Sequence, residues 1–376
     1  MEQNTTSLSV AKLVAGITDA KQTDDSVRID HLESLTSLCS TPLTDEDVAL
    51  LKSLVSNTLF SGHLQATDSD EASDLHAAKW RLLSTLLAAD GVEAPTSEQE
   101  IETVLSLMLA DRFVSSDVLT AMAQWLIELR NRLGDAINLL DVEVLDKDGG
   151  EQSGSCLELV KQMYVTLGGN GNLRLQLAEM LGKLVDTKER AKSVVRSGIL
   201  RTLLQIALEQ PDEITDTVLL QNFILVGKRV ASFVCYEAVA SGLPKLQGNP
   251  IAEKRHEVCE LVVALMLSGV SLAFAEGVRL LELLSDNAAC RALLPEQELW
   301  SANQQCRAQQ KSSASGGKSK TNARDERQMR DLHRQIVSAY KKLQQMHANK
   351  KRLDKKVIKQ MVKYLATIPG VQDETG

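Results

Sequence analysis

Two residues with metal-binding side chains, His256 and Cys259, stand three positions apart in a stretch with helical periodicity. Side chains at that spacing share one face of a helix, as metal ligands sometimes do. A tetrahedral site needs four donors, and no second pair of histidines or cysteines is spaced to supply the other two. We therefore predict a core thiol beside a surface imidazole, and no bound metal.

Two glycine-rich stretches have the composition of phosphate-binding loops. Gly317-Lys318-Ser319 matches the end of a P-loop, but Ser312 occupies the position of that motif's first glycine and no strand precedes it. The second stretch, residues 168–172, precedes a helix without the strand or basic residue of a nucleotide site. The first stretch is predicted to be a linker, and the second a turn between helices.

The remaining titratable residues form no recognisable catalytic pattern. The other histidines are scattered, at positions 31, 63, 76, 333 and 347. The sequence contains no nucleophile elbow, kinase signature or paired-carboxylate motif. It therefore predicts a protein that is not an enzyme and has no cofactor, although residues distant in sequence could still meet in the fold.

The elements that must position these residues are helices. From Asn172 to Leu208, aliphatic residues recur every three or four positions, in runs separated by a polar turn at residues 186–189 and by Ser197-Gly198. Glycine readily adopts the left-handed conformation that ends helices, so we expect Gly198 to adopt it. Helix, turn, short helix, glycine and helix form one unit of a stacked array.

The Ser-Gly break recurs at a fixed interval, because Ser153-Gly154, Ser197-Gly198 and Ser241-Gly242 are spaced 44 residues apart. A period in the forties is typical of helical repeats. Residues 175–207 resemble one armadillo repeat, with a Leu-Ala-x-x-Leu-x-x-Leu helix, a charged turn, Val-Val-x-x-Gly-Ile-Leu and Leu-Leu. The resemblance implies an all-α fold, specifically an armadillo/HEAT-like right-handed α-solenoid, and identifies a fold far better than a function.

Two lysines have a special place in this resemblance. Armadillo proteins of nuclear import hold basic peptides with a ladder of Trp and Asn side chains. Lys183 occupies the Asn position in the well-matched repeat, and Lys228 occupies it in the next. The resemblance thus implies that both side chains project into one concave groove, where they would repel a basic cargo and attract an acidic one. The alternative is that they are ordinary solvent-facing lysines.

The composition agrees with an α-helical protein. Hydrophobic residues make up 43% of the chain but aromatic residues only 3%, and the count of prolines is low, at 7. The six cysteines include no Cys-x-x-Cys pair and mostly lie in apolar runs. No apolar run approaches the ~20 residues that cross a bilayer. We predict a reduced, cytoplasmic protein without a membrane span, with the nucleus as the alternative location.

Charge divides the chain into an acidic body and a basic tail. Residues 318–363 hold 15 Lys or Arg against 4 Asp or Glu, a net charge of +11, whereas residues 1–317 have 27 against 44, a net charge of −17. We expect a loosely ordered segment over residues 1–30, an armadillo-like repeat domain over 31–308 and a flexible Ser/Gly/Lys linker over 309–322. A long basic amphipathic helix over 323–366 and a short tail over 367–376 follow.

The apolar residues of the predicted basic helix alternate three and four positions apart, as in a coiled coil, with a break at Lys350. Three interpretations stay open: a soluble or coiled-coil helix, docking on an acidic protein surface, or binding to nucleic acid. The candidate binding residues are apolar positions and the lysine-rich stretch, namely Ile336, Leu343, Lys350, Lys351, Arg352, Leu353, Lys355, Lys356 and Val357.

The function predicted from the sequence is that of a non-enzymatic protein-binding scaffold or adaptor. Its groove would hold a segment of a partner protein, while the basic helix would bind a second, acidic or coiled-coil, surface. Two alternatives stay open. One is an adaptor that binds nucleic acid through the tail, and the other is a regulator or chaperone cofactor that clamps a folded domain.

Overall fold

The computed structural model of the chain describes residues 2–19, 24–55, 70–88, 95, 97–111, 115–144, 154–168, 170–209, 213–235, 250–267 and 271–294, with residues 334, 338, 342, 345 and 348. The regular secondary structure of these residues is helical, apart from one two-residue antiparallel pair of β1 (Glu143–Val144) with β2 (Gly154–Ser155). The predicted all-α class is therefore confirmed.

In chain order, the first seven helices are α1 (Glu2–Thr18), α2 (Asp25–Leu38), α3 (Asp45–Leu54), α4 (Asp70–Ala88), α5 (Glu98–Asp111), α6 (Ser116–Leu133) and α7 (Cys156–Thr166). They are followed by α8 (Gly171–Leu184), α9 (Lys188–Ser197), α10 (Ile199–Glu209), α11 (Glu213–Val234), α12 (Pro250–Leu267), α13 (Ser271–Asp286) and α14 (Ala288–Arg291).

The chain forms two compact units, Met1–Val230 and Ala231–Gly376, and the division falls inside α11. In the first unit, alternate helices pack side by side, because α2 contacts α4, α4 contacts α6, and α6 contacts α8. Beside this row, α5 packs on α7 and α7 packs on α10, while α7 also contacts α6, α8 and α9. Each helix therefore buries its apolar residues against neighbours that are near in sequence.

Polar residues in the short turns set where these helices begin. The side chain of Thr44 accepts a hydrogen bond from the backbone of Asp47, whose carboxylate accepts one from the backbone of Thr44, so α3 begins with a capping box. Similar caps begin later helices, at Ser115, Ser155, Asn170, Thr187 and Asn287. Each cap satisfies backbone N–H groups that a helix cannot bond internally.

The glycine breaks are only partly as predicted. Gly198 ends α9 in the left-handed conformation, with a φ of +72°, as expected. Gly154, which the 44-residue interval makes its counterpart, belongs instead to the extended strand β2. Ser241-Gly242 lies outside the described residues. The two described glycines are therefore not structurally equivalent.

The structure describes helices in part of the segment 1–30, which was predicted to be loosely ordered. There α1 packs on α2 and α3, with Val10 and Ile17 buried. The next helix begins at Asp25, where Asp24 caps it. The amphipathic pattern of α1 is weak, but packing against the helices that follow stabilises it because its few apolar residues are buried there.

Aromatic packing joins α4 to α6 in the core of the first unit. The rings of Trp80 and Trp125 are both buried, and their centroids lie 6.0 Å apart at an interplanar angle of 69°, an edge-to-face arrangement. The ammonium group of Lys79 lies 5.1 Å from the Trp80 ring centroid while its side chain is buried. The contact between the two tryptophan rings thus joins α4 to α6, and the cation–π contact of Lys79 lies within α4.

The second unit is built on the pair α12 and α13. A Cβ added to Gly277 would lie 2.7 Å from the backbone nitrogen of Met266, so any residue with a side chain at position 277 would collide with the backbone of α12. Cys259 and Cys290 are both fully buried, and the Cys259 thiol donates to the Cys290 carbonyl oxygen at 3.7 Å. The predicted core thiol at position 259 is confirmed.

Burial of Cys156, at the start of α7, predicts a pH dependence of stability. Burial raises the pKa of this thiol from 9.0 to about 12. Between those values the unfolded chain holds fewer protons than the folded chain, so the free energy of unfolding falls as pH rises. From pH 8 to pH 11, urea denaturation of the parent should show a loss larger by about 3 kcal/mol than that of Cys156→Ala.

A matched control is Cys235→Ala, because the Cys235 thiol is only partly buried. This variant should change the pH slope less than Cys156→Ala. Identical pH profiles for the parent and Cys156→Ala would contradict the assignment of Cys156 to the core.

Candidate partner-binding surface

The two lysines singled out by the sequence, Lys183 on α8 and Lys228 on α11, are both exposed to solvent. Their helices meet beside them. A Cβ added to Gly182 would lie 2.7 Å from the Cδ2 atom of Leu225, one turn before Lys228. The structure therefore places the two lysines on adjacent helices, each close in sequence to the Gly182–Leu225 contact.

Each of the helices α6, α8 and α11 exposes one stripe of residues to solvent. The middle helix α8 contacts α6 and α7, and its Gly182 lies against α11, so its remaining side is the one away from α7. The same holds for α6, which contacts α4, α7 and α8. We call this surface the α6–α8–α11 face, and its exposed or half-buried residues are Gln124, Ile127, Asn131, Leu175, Gln176, Glu179, Lys183, Val218, Gln221, Leu225 and Lys228.

The α6–α8–α11 face combines aliphatic and polar side chains. Each helix presents one half-buried aliphatic residue on its stripe, namely Ile127, Leu175 and Leu225, and α11 adds Val218, which is 36% exposed. Polar and charged residues flank them on every helix. Protein-binding surfaces likewise combine apolar and polar side chains.

Long side chains tie the helices of this row together at their carboxyl ends. Arg132 on α6 donates from Nη2 to the carbonyl oxygen of Ala88, the last residue of α4, at 3.0 Å. Arg229 on α11 donates from Nε to the carbonyl oxygen of Val185, the residue that caps α8, at 2.7 Å. Each pair is separated by 44 residues in the chain, the interval between the Ser-Gly pairs.

These ties were not predicted from the sequence. The signal that could have indicated them is an arginine placed one 44-residue interval after the end of an earlier helix. Asn138 adds a third tie, since its Nδ2 donates to the carbonyl oxygen of Leu184 at 2.8 Å. The carbonyl groups of a helix's last turn have no partner within the helix, so a side chain from the next layer both satisfies them and fixes the register.

A buried polar pair joins α7 to α11 beneath the α6–α8–α11 face. Asn222, fully buried, donates from Nδ2 to the hydroxyl oxygen of Tyr164 at 2.7 Å. Burial raises the pKa of Tyr164 to about 12, because the charged phenolate would lack water. The end of α7 is closed by Arg174, also buried, which donates to the carbonyl oxygens of Tyr164 at 2.8 Å and Val165 at 3.2 Å.

A polar cavity of about 250 Å³ opens between the end of α6, the following loop and the turn before α9. Its arginines are occupied by neighbours. Arg190 forms ion pairs with Asp141 and Asp186, and the hydrogen bond to Asp141 is the main reason that its pKa is raised. Arg130 donates to the Gly134 carbonyl oxygen and pairs with Asp135 at 3.1 Å. The arginine and aspartate side chains that line the cavity therefore form ion pairs with one another.

The residues weighed above as metal ligands or phosphate-binding loops include His256, on α12. The imidazole of His256 is buried, which corrects its predicted position on the surface. Its Nδ1 atom lies 3.7 Å from Oε1 of Glu260, on the same helix. In the part of the chain that the structure describes, no group of three His, Cys, Asp or Glu side chains is arranged to hold a metal ion. Gly168 lies in a turn, Asn170 caps α8, and Gly171 and Asn172 are the first residues of that helix, whereas Gly169 and Gly317-Lys318-Ser319 lie outside the described residues.

The candidate residues of the basic helix also lie outside the described residues: Ile336, Leu343, Lys350, Lys351, Arg352, Leu353, Lys355, Lys356 and Val357. Five residues of the segment that contains them are described, and all five are helical. One of these, Lys342, forms an ion pair with Asp286 at the end of α13.

One described helix has the length and composition of a membrane span. The window Thr217–Val234, within α11, meets both criteria, and half of it is buried inside the protein. Its Asn222 and Arg229 bond to α7 and to the end of α8. Buried core helices pass the same test, so the window is weak support for a span, and the absence of a span stays a prediction.

No family model, curated protein or solved structure matches this chain.

The tie from Arg229 predicts a difference between two exposed cationic residues, Arg229 on α11 and Lys183 on α8. Arg229→Met leaves the Val185 carbonyl without its donor, so the free energy of unfolding should fall by about 1–3 kcal/mol in urea titration. Lys183→Met removes an exposed side chain and should change it by about 0.5 kcal/mol or less. Equal effects of the two substitutions would show that the tie does not stabilise the row.

Proposed function

We propose that this chain is a non-enzymatic scaffold that binds a segment of a partner protein on the α6–α8–α11 face. We further propose that the helical rows continue as an armadillo/HEAT-like right-handed α-solenoid, followed by a long basic C-terminal helix. The observation that carries the proposal is the alignment of three consecutive exposed stripes on one side of a row of helices.

The ties between helices support this role. A scaffold binds well when its contact residues are held in place before the partner arrives, because less conformational entropy is lost on binding. Arg132, Arg229 and Asn138 fix each helix end to the next layer, and the Tyr164–Asn222 hydrogen bond fixes α11 from beneath. The exposed stripes therefore have a fixed spacing.

The side chains of the face favour an acidic partner segment with apolar residues. Lys183 and Lys228 supply positive charge on adjacent helices, and Ile127, Leu175 and Leu225 supply partly exposed aliphatic contacts. An extended or helical segment that alternates acidic and aliphatic residues would satisfy both. The basic C-terminal helix is the element that we propose to bind a second acidic or coiled-coil surface.

We also propose a cytoplasmic location. The five cysteines that the structure describes are all free thiols, and four of them are buried. Buried, unpaired thiols are typical of proteins that fold in a reducing compartment. The sixth, Cys306, lies outside the described residues.

Reversing the two lysines tests the face directly. Lys183→Glu with Lys228→Glu should weaken binding of a fluorescently labelled peptide of alternating glutamate and leucine by about ten-fold at low salt, measured by anisotropy. The melting temperature should stay within a few degrees of the parent. The matched control is Lys12→Glu with Arg196→Glu, which makes the same change in charge at exposed positions of α1 and α9.

The control variant should bind the peptide nearly as the parent does. If both double variants lose affinity equally, net charge governs binding and the α6–α8–α11 face does not. If neither loses affinity, the lysines are ordinary solvent-facing residues.

A second pair of substitutions separates a protein-binding helix from a polyelectrolyte arm. Leu343→Asp with Leu353→Asp should abolish binding to a designed acidic helix with leucine at its a and d positions, even at low salt, because the apolar stripe is lost. Moderate salt should only weaken the parent. Ser338→Asp with Gln345→Asp changes the charge equally outside the apolar stripe and should retain binding at low salt.

The opposite result would support the nucleic-acid alternative. It would consist of normal binding by the Leu343 and Leu353 variant at low salt, together with complete loss of the parent complex in moderate salt. A labelled DNA duplex titrated in parallel would then show whether the helix binds phosphate groups.

A further inference from the structure

One residue of the C-terminal basic segment is bonded to the helices of its own unit. The ammonium group of Lys342 forms an ion pair with the carboxylate of Asp286, and the two side chains are 33% and 62% exposed. Residues 334, 338, 342, 345 and 348 are all helical and follow one another at intervals of four or three. Intervals of three and four are those of residues on one face of a helix, and Lys342 is the middle one of the five.

The end of α13, which accepts this contact, has two exposed carboxylates and no basic residue in its last turn. Asp286 is the last residue of α13, and Glu282 is exposed one turn earlier. The carbonyl end of a helix carries a partial negative charge, so carboxylates there are unfavourable unless a cation is near. The end of α13 is thus a site at which a lysine or arginine is stabilised.

The nearest basic residue in sequence is already used in another way. Arg291 on α14 turns back to the backbone of α13, donating to the carbonyl oxygen of Asp286 at 3.0 Å and also to that of Ser285. It bonds the backbone carbonyls, while Lys342 bonds the carboxylate of Asp286. At this helix end, Arg291 therefore contacts the backbone carbonyl groups and Lys342 contacts the carboxylate.

We infer that the end of α13, with Asp286 at its centre, is a docking site for the chain's own basic helix, and that docking there withholds this helix from acidic partners. The division of charge favours this occupant, since residues 318–363 carry a net charge of +11 and residues 1–317 a net charge of −17. The contact is exposed and therefore exchangeable, so a partner with more negative charge can displace it. The withholding of partners rests on the proposed function of the basic helix, whereas the docking does not.

Zero-length cross-linking tests the docking. A water-soluble carbodiimide joins an amine to a carboxylate only when the two are in contact, so the full-length protein should yield a peptide in which Lys342 is coupled to Asp286. Asp286→Asn should remove this peptide, whereas Glu282→Gln, the matched change one turn earlier, should retain it. Raising the salt to about 0.5 M should reduce its yield several-fold, because exposed ion pairs are screened.

Equal mixing of ¹⁴N- and ¹⁵N-labelled protein distinguishes contact within one chain from contact between chains. Isotopically pure cross-links are expected, and mixed ones would overturn the inference. Absence of the cross-link in the parent, or its persistence in Asp286→Asn, would also overturn it. Circular dichroism of both variants should match the parent, since Asp286 and Glu282 are exposed.

Competition is tested with labelled poly-glutamate as the acidic partner. Asp286→Asn should bind it about three-fold or more tightly than Glu282→Gln does, because the fraction of chains with an undocked helix rises. Equal affinities would overturn the withholding. If no form of the protein binds poly-glutamate, the proposed role of the basic helix fails, and the cross-link alone decides whether Asp286 is the docking point.

Discussion

The structure of the first unit depends on how the carboxyl ends of its helices are closed. The last carbonyl groups of a helix have no partner inside it, and between packed layers they cannot all reach water. Long side chains from a neighbouring layer supply the donors, with Arg132 bonding Ala88, Arg229 bonding Val185 and Asn138 bonding Leu184. Because each bond spans 44 or 46 residues of chain, each one fixes a helix to its neighbour instead of to itself.

With the helix ends closed in this way, the side of the α6, α8 and α11 row that faces away from α7 stays exposed to solvent. Cohesion comes from apolar packing within the row, from the side that faces α7 and from the tied ends, so the stripes on α6, α8 and α11 are not needed to hold the helices together. In the proposed function, Lys183, Lys228 and the partly exposed aliphatic residues of the same face are the ones that would contact a partner. The described contact of the C-terminal basic segment is of a different kind, an exposed ion pair that another charged group can exchange.

Much of the local structure could be predicted from the sequence, and the long-range polar contacts could not. The cap at Thr44 and the left-handed turn at Gly198 depend on neighbouring residues, so residue type and spacing indicate them. The buried Asn222 and His256 depend on which helix packs above them, and no periodicity records that. The same limit explains Gly154, which repeats the Ser-Gly interval but pairs with Val144 as a strand. For the candidate surface, the sequence indicated the two lysines but not the arginine ties that position their helices.

Hydrogen exchange in an Arg132→Met variant tests most directly whether the helices form a row in which each layer is stabilised by its neighbours. In a stacked array, loss of one tie weakens only the adjoining layers. Exchange should therefore accelerate in α4 and α6, whose ends that side chain joins, while α10 and α11 exchange as in the parent. An equal acceleration in all helices of the first unit would show one cooperative globular core and would contradict the account.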